Sequence, residues 1–141
     1  MQFLMMVLSH PDRERDPIVP EEMAEMGEYN DALRKAGLLL SVAGLHPSAT
    51  GARVDFQDGR TSVTDGPFTE SKELVAGFWL LQAESREEVI AWARRVPFRN
   101  GRVEIRRVAE GSDTGYETAP PGTRARAGQA EPRDDEERSE K

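Results

Sequence analysis

Cysteine is absent from this 141-residue chain, and histidine occurs only at His10 and His46. The first absence excludes disulfides, thiolate metal sites and a cysteine nucleophile, and leaves the compartment unconstrained by redox chemistry. The second argues against a dedicated zinc site, because the two imidazoles are far apart and no His-Glu-x-x-His or related spacing surrounds them. Neither a metal nor an organic cofactor is expected. Long hydrophobic runs are missing as well. The N-terminal run Phe3 to Leu8 lacks a preceding basic region and is too short for a signal-peptide core or for a span of about 20 apolar residues. A cytoplasmic protein with no membrane segment is expected. Nor is there a surplus of positive charge. The formal net charge is −7, whereas nonspecific nucleic-acid binding needs a basic face to displace counterions from phosphate. Any influence on transcription would therefore run through protein contacts.

What is present is enough for one domain. A body of about 110 residues buries roughly two-thirds of its unfolded surface. From Glu110 onward the composition turns to Gly, Pro, Thr and Ser and then to the charged run Glu131-Pro132-Arg133-Asp134-Asp135-Glu136-Glu137. Too little apolar surface remains there to offset ordering entropy. The expected organisation is a domain over 1–109 and a disordered acidic tail over 110–141. The tail is read as solvated, with a partner-binding peptide that folds on contact as the second reading.

Along the body, Phe3 to Leu8 has the pattern of a central strand covered on both faces. Ser9-His10-Pro11-Asp12 ends it, and a charged, proline-punctuated loop follows. Pro20, with Glu21 and Glu22 at the positive end of the dipole, predicts a first helix, and Gly37 its stop. Met23, Met26 and Leu33 form its apolar stripe, with Tyr29 beside it. Asn30 falls on that stripe, and a buried amide must find partners, so it is either a satisfied core group or a cleft residue. Leu38 to Ala43 reads as a strand closed by the turn Gly44-Leu45-His46-Pro47-Ser48. Arg53 to Gln57 and Arg60 to Thr64 alternate around Asp58-Gly59, a hairpin with one wet face whose pairing is left open. Leu74 to Leu81 places Phe78 and Leu80 on one side and Val75, Trp79 and Leu81 on the other. Both faces need cover, which predicts a homodimer joined through its sheets. Ser85-Arg86-Glu87-Glu88 is a capping box opening a second helix, with Val89, Ile90, Trp92, Ala93 and Val96 buried and Pro97 as its end. Arg102 to Val108 is the last strand. Strand, helix, strand, hairpin, strand, helix, strand is the α+β split βαβ order with an inserted hairpin.

Between hairpin and fifth strand lies Asp65-Gly66-Pro67-Phe68-Thr69-Glu70-Ser71-Lys72-Glu73. Gly66-Pro67 forces a bend. Asp65 has the default job of holding that bend through backbone donors two residues on. The functional alternative presents Asp65, Thr69 and Lys72, with Glu70 and Glu73, at a strand edge where a ligand could meet them.

This run, followed by Gly77-Phe78-Trp79-Leu80, resembles the signature of the YCII-related proteins, in the branch called the DGPF family. The resemblance covers about residues 1 to 108, from Phe3-Leu4-Met5-Met6-Val7 through Gly44-Leu45-His46-Pro47 to Val103-Glu104-Ile105-Arg106. It implies a ferredoxin-like fold pairing into a dimeric α/β barrel, in a family of poorly defined role whose members often accompany sigma factors of the extracytoplasmic-function type. The wider group is proposed to use a His and Asp pair with the histidine on the first helix. Here that helix has no histidine, and Met26 stands where it would be.

Two functions are carried forward. One is a small regulatory dimer that binds a small molecule or a protein such as a sigma factor, with Tyr29, Asn30, His46, Asp65, Thr69 and Lys72 as candidate ligand-binding residues. The other is an enzyme moving protons on a small molecule, with His46 and Asp65 as its candidate catalytic pair. The loop from Asp65 to Glu73 and the turn at His46 are expected to border one cleft.

Overall fold

The apolar run at the N-terminus is a central strand of a four-stranded antiparallel sheet. The computed structural model describes residues 1–14 and 16–114; the expected tail beyond Thr114 lies outside the described residues, as does Arg15. Strand β1 (Gln2–Ser9) pairs on one side with β5 (Leu74–Gln82) and on the other with β6 (Arg102–Arg107), and β2 (Leu39–Gly44) closes the far side of β5. The order β2-β5-β1-β6, with helices α1 (Pro20–Lys35) and α2 (Arg86–Ala93) between strands, is an α+β arrangement compatible with a ferredoxin-like fold. These elements lie in a compact unit, Met1–Val108. The chain from Ala109 forms a second unit, in which a short helix α3 (Gly111–Thr114) is described. No helix among the described residues is long and apolar enough to cross a membrane.

Alternation along the strands puts one set of side chains under the helices. Phe3, Met5, Trp79 and Leu81 are buried with Tyr29 and Leu33 of α1 and Val89 of α2 in one cluster. Leu4 and Met6 take the other face, directly opposite Leu80 and Phe78, and stay half-buried. The expected two-faced strand is therefore present, with one difference. Val7 pairs with Gly77 and Leu8 with Val75, so Ala76 is bulged out of the ladder. The bulge reverses the alternation, and Val75 is exposed where the core face was expected, while Leu74 is buried.

Helix α1 begins at Pro20 as expected and stops at Ala36 before Gly37, which has φ 77°. Its stripe is rotated from the expected one: Met23 is 60% exposed, whereas Tyr29 and Leu33 are the buried residues. The line of contact runs Met26, Tyr29, Leu33, the three-then-four spacing of a helix flank. Ser85 caps α2 by accepting the Glu88 N–H at 3.2 Å. The reciprocal bond goes one residue further than a capping box predicts, since Glu88 Oε2 accepts from the Glu84 N–H at 3.0 Å. α2 ends at Ala93, before Pro97 is reached, and the chain turns through Arg94 and Arg95 so that Val96 is still buried.

The hairpin of β3 (Ala52–Gln57) and β4 (Arg60–Asp65) forms a separate two-stranded sheet. Asp58 and Gly59 both have positive φ, the turn expected of Asp-Gly. Val54 faces Val63 and Phe56 faces Thr61 across the ladder, so these four share a face. That face is not covered by the protomer, and every residue of both strands is exposed, Phe56 at 79%.

Tyr29 gives the core a measurable signature. Its hydroxyl donates to the Trp92 carbonyl at 2.8 Å, and its ring meets Trp79 edge-on with centroids 5.8 Å apart. Burial raises its pKa to about 12 from an ordinary 10.0, with Arg95 pulling more weakly the other way. The fold accepts the neutral phenol, so this contribution is intact below about pH 10 and is lost as pH rises through about 12, on the order of 3 kcal/mol in all. Denaturant titrations from pH 9 to 12 should show the decline, and Tyr29→Phe should flatten it.

Candidate functional site

The motif loop is built around a close approach. A Cβ at Gly66 would stand 1.6 Å from the Ser48 carbonyl oxygen, so the loop can pass there only as glycine. The Gly66 N–H donates to the Gly51 carbonyl at 2.9 Å, and the Gly66-Pro67 peptide is cis. Ser48 is the junction of three segments. Its N–H and its hydroxyl donate to the two Glu14 carboxylate oxygens at 2.8 and 2.7 Å, and its Oγ accepts the Phe68 N–H at 3.2 Å. Phe68 is buried beneath the Arg53 guanidinium, whose carbon lies 3.9 Å from the ring centroid. The same guanidinium donates to Glu70 Oε1 at 3.2 Å and Ser71 Oγ at 2.9 Å. In this way the base of the hairpin is fastened to the loop that leaves it.

Two larger spaces lie beside the sheet. An open groove of 880 Å³ with mixed walls carries the charged or titratable side chains of His10, Arg13, Lys72, Glu73, Arg99 and Arg102 among others. Glu73 and Arg102 form an ion pair across it, and His10 Nδ1 accepts the Asp12 N–H at 3.2 Å. A second space of 440 Å³ lies along α1 and is mostly apolar, bounded by Val7, Met23, Met26, Val42 and Trp79 with Asn30. Its size is within the usual 300–1,000 Å³ of ligand pockets. Val7, Ile18, Glu22, Ala76 and Phe98 line both, so the two spaces adjoin. Asn30 Oδ1 accepts the Trp79 indole N–H at 2.8 Å, and the half-buried residue lines the cavity, so of the two readings its sequence left open it is a cleft residue, with its oxygen tied to the core.

The candidate residues fall in different places. Asn30 lines the apolar cavity, Lys72 the open groove, and Thr69 a smaller pocket of 260 Å³. Tyr29 is in the core. His46 and Asp65 are exposed and line none of these three spaces. The two loops do border one pocket, the smallest, but through Pro47, Ala49, Pro67 and Thr69. Sequence reasoning missed Glu14 and Ser48. A glutamate in a charged loop and a serine in a turn carry no periodic signal, and only their meeting gives them a role. Among the described residues no group of three or more His, Cys, Asp or Glu is placed to hold a metal ion.

The family model described as YCII-related domain matches residues 1–112. An uncharacterized protein of Rhizobium meliloti (strain 1021) is 38% identical over 78 residues, a match that covers 53% of this chain and 63% of that relative.

The fastening predicts an order of sensitivities. Gly66→Ala should cost about 2 kcal/mol or more, because a backbone carbonyl must move. Ser48→Ala should cost roughly 1–3 kcal/mol by leaving Glu14 Oε2 and the Phe68 N–H without their partner, while the backbone N–H at position 48 still holds Glu14 Oε1. His46→Ala should stay within about 0.5 kcal/mol, as for an exposed turn residue. Urea unfolding of the three variants measures this order.

Proposed function

The chain belongs to the YCII-related domain family, and from that premise we propose that it is a small cytoplasmic homodimer that binds a ligand in the cavity along α1 rather than transforming it. The observation that carries this reading is the chemistry of the cavity wall: among the described residues, Glu22 is its one titratable lining side chain. Acid–base catalysis needs a donor and an acceptor of protons facing one substrate. Met26, at the position where the resemblance implies a helix histidine, lines the cavity and offers no proton. His46 and Asp65, the candidate catalytic pair, line neither the cavity nor the groove.

Assembly rests on surface that one protomer leaves open. Leu4, Met6, Phe78 and Leu80 form an apolar patch on the face of the sheet away from the helices, and a second protomer's sheet is the cover of matching character. This is the dimeric α/β barrel that the resemblance to the DGPF branch implies. The same resemblance implies the company of extracytoplasmic-function sigma factors, and a sigma factor is the protein partner proposed for the dimer, reached through protein contacts.

Sedimentation velocity at low micromolar concentration should give a dimer, and a well-folded monomer would overturn the assembly. A fragment screen followed through the methyl signals of Met23 and Met26 should find molecules that shift both. Loss of a turnover on His46→Ala would replace binding with the enzyme reading.

A further inference from the structure

Asn30 and Gly27 are three residues apart on α1 and line the same cavity. The orientation of the Asn30 amide is fixed by chemistry. An indole N–H can only donate, so the atom facing Trp79 Nε1 at 2.8 Å is the carboxamide oxygen. The amide nitrogen, with two N–H donors, has no partner among the described residues and is not sealed from solvent. The cavity therefore presents a fixed donor in a wall that is otherwise mostly apolar, with Glu22 as its charged member.

Gly27 adds an independent observation. Glycine is the poorest helix former after proline, and it stands here in the interior of a helix. Packing does not demand it: a Cβ at Gly27 would meet no atom within 4 Å. Gly27 is exposed, and its Cβ position is open space where α1 borders the cavity, so a side chain there would narrow the entrance without meeting the core. A third feature bears on charge. Glu22, on the same helix, lines the same space and disfavours an anionic guest.

Resting on the reading of this cavity as a ligand site, we propose that its ligand is a compact, neutral, largely apolar molecule carrying one carbonyl oxygen. The Asn30 N–H donors hold that oxygen, and Gly27 sets the size of the body that fits beside α1. Asn30 is the selecting contact because a ligand without an acceptor would leave its desolvated donors unpaired.

The matched pair acetophenone and ethylbenzene tests this, because the two differ by a carbonyl in place of a methylene. Binding is read by NMR from the Met23 and Met26 methyl groups and the Trp79 indole N–H. Acetophenone should bind roughly three- to tenfold more tightly. Asn30→Asp keeps an oxygen for Trp79 and removes the donors, so it should abolish the preference while the indole signal stays in place. Gly27→Ala should raise the melting temperature and weaken both ligands. Gly27→Leu should remove binding of both without lowering the melting temperature. Equal affinities that Asn30→Asp leaves unchanged, with binding still lost on Gly27→Leu, would overturn the carbonyl while leaving the cavity a ligand site. Hits from the fragment screen with no shift from this pair would overturn the ligand class alone. No shift from either would overturn the site as well.

Discussion

Three stretches of chain distant in sequence are held together at one hydroxyl. The Ser48 hydroxyl donates a hydrogen bond to Glu14 and accepts one from the Phe68 N–H, so the exit of β1, the turn after β2 and the motif loop share a single node. The constraint is steric as much as electrostatic. With the Ser48 carbonyl engaged by Gly51 and pressed against Gly66, no side chain is tolerated at that point of the loop. The start of β5, and with it the register of the sheet's most apolar strand, is delivered from this node. A motif that reads as a row of chemical groups is in this light chiefly a fastening, with Phe68 as its buried plug and Arg53 as its cover.

Where the signal was periodic or a known local rule applied, the sequence was a good guide. Pro20 and Gly37 bracket the first helix, Asp58-Gly59 turns the hairpin, and Ser85 caps the second helix as those residue types dictate. Errors arose where geometry depends on partners. The stripe of Met23, Met26 and Leu33 reads as the buried flank of α1, but Tyr29 fits against Trp79 and Trp92 and rotates the helix so that Met23 lies exposed at the rim of the open cavity. The parity of β5 held only as far as Gly77, because a one-residue bulge has no compositional mark. The end of α2 was placed late since a proline signals where a helix cannot continue, and the chain had already turned.

The candidate site was less legible than the fold for a related reason. Polar residues in loops drew attention as the places where chemistry might be displayed, and the structure scatters them among three spaces and the surface. Asn30 stood out correctly because an amide on an apolar stripe must be explained. Gly27 carried no such signal: its meaning depends on what surrounds a side chain that is not there.

The exposed hairpin has a dynamic consequence. Among the described residues the ladders of β3 and β4 pair only with each other, and an isolated two-stranded ladder is marginal in water. Its persistence is borrowed from the contacts of Arg53 and Gly66 at its base. Two clocks should therefore run in one protomer under deuterium exchange: ladder amides near Asp58-Gly59 exchanging through local opening, and those of β1 and β5 only as fast as the whole sheet comes apart.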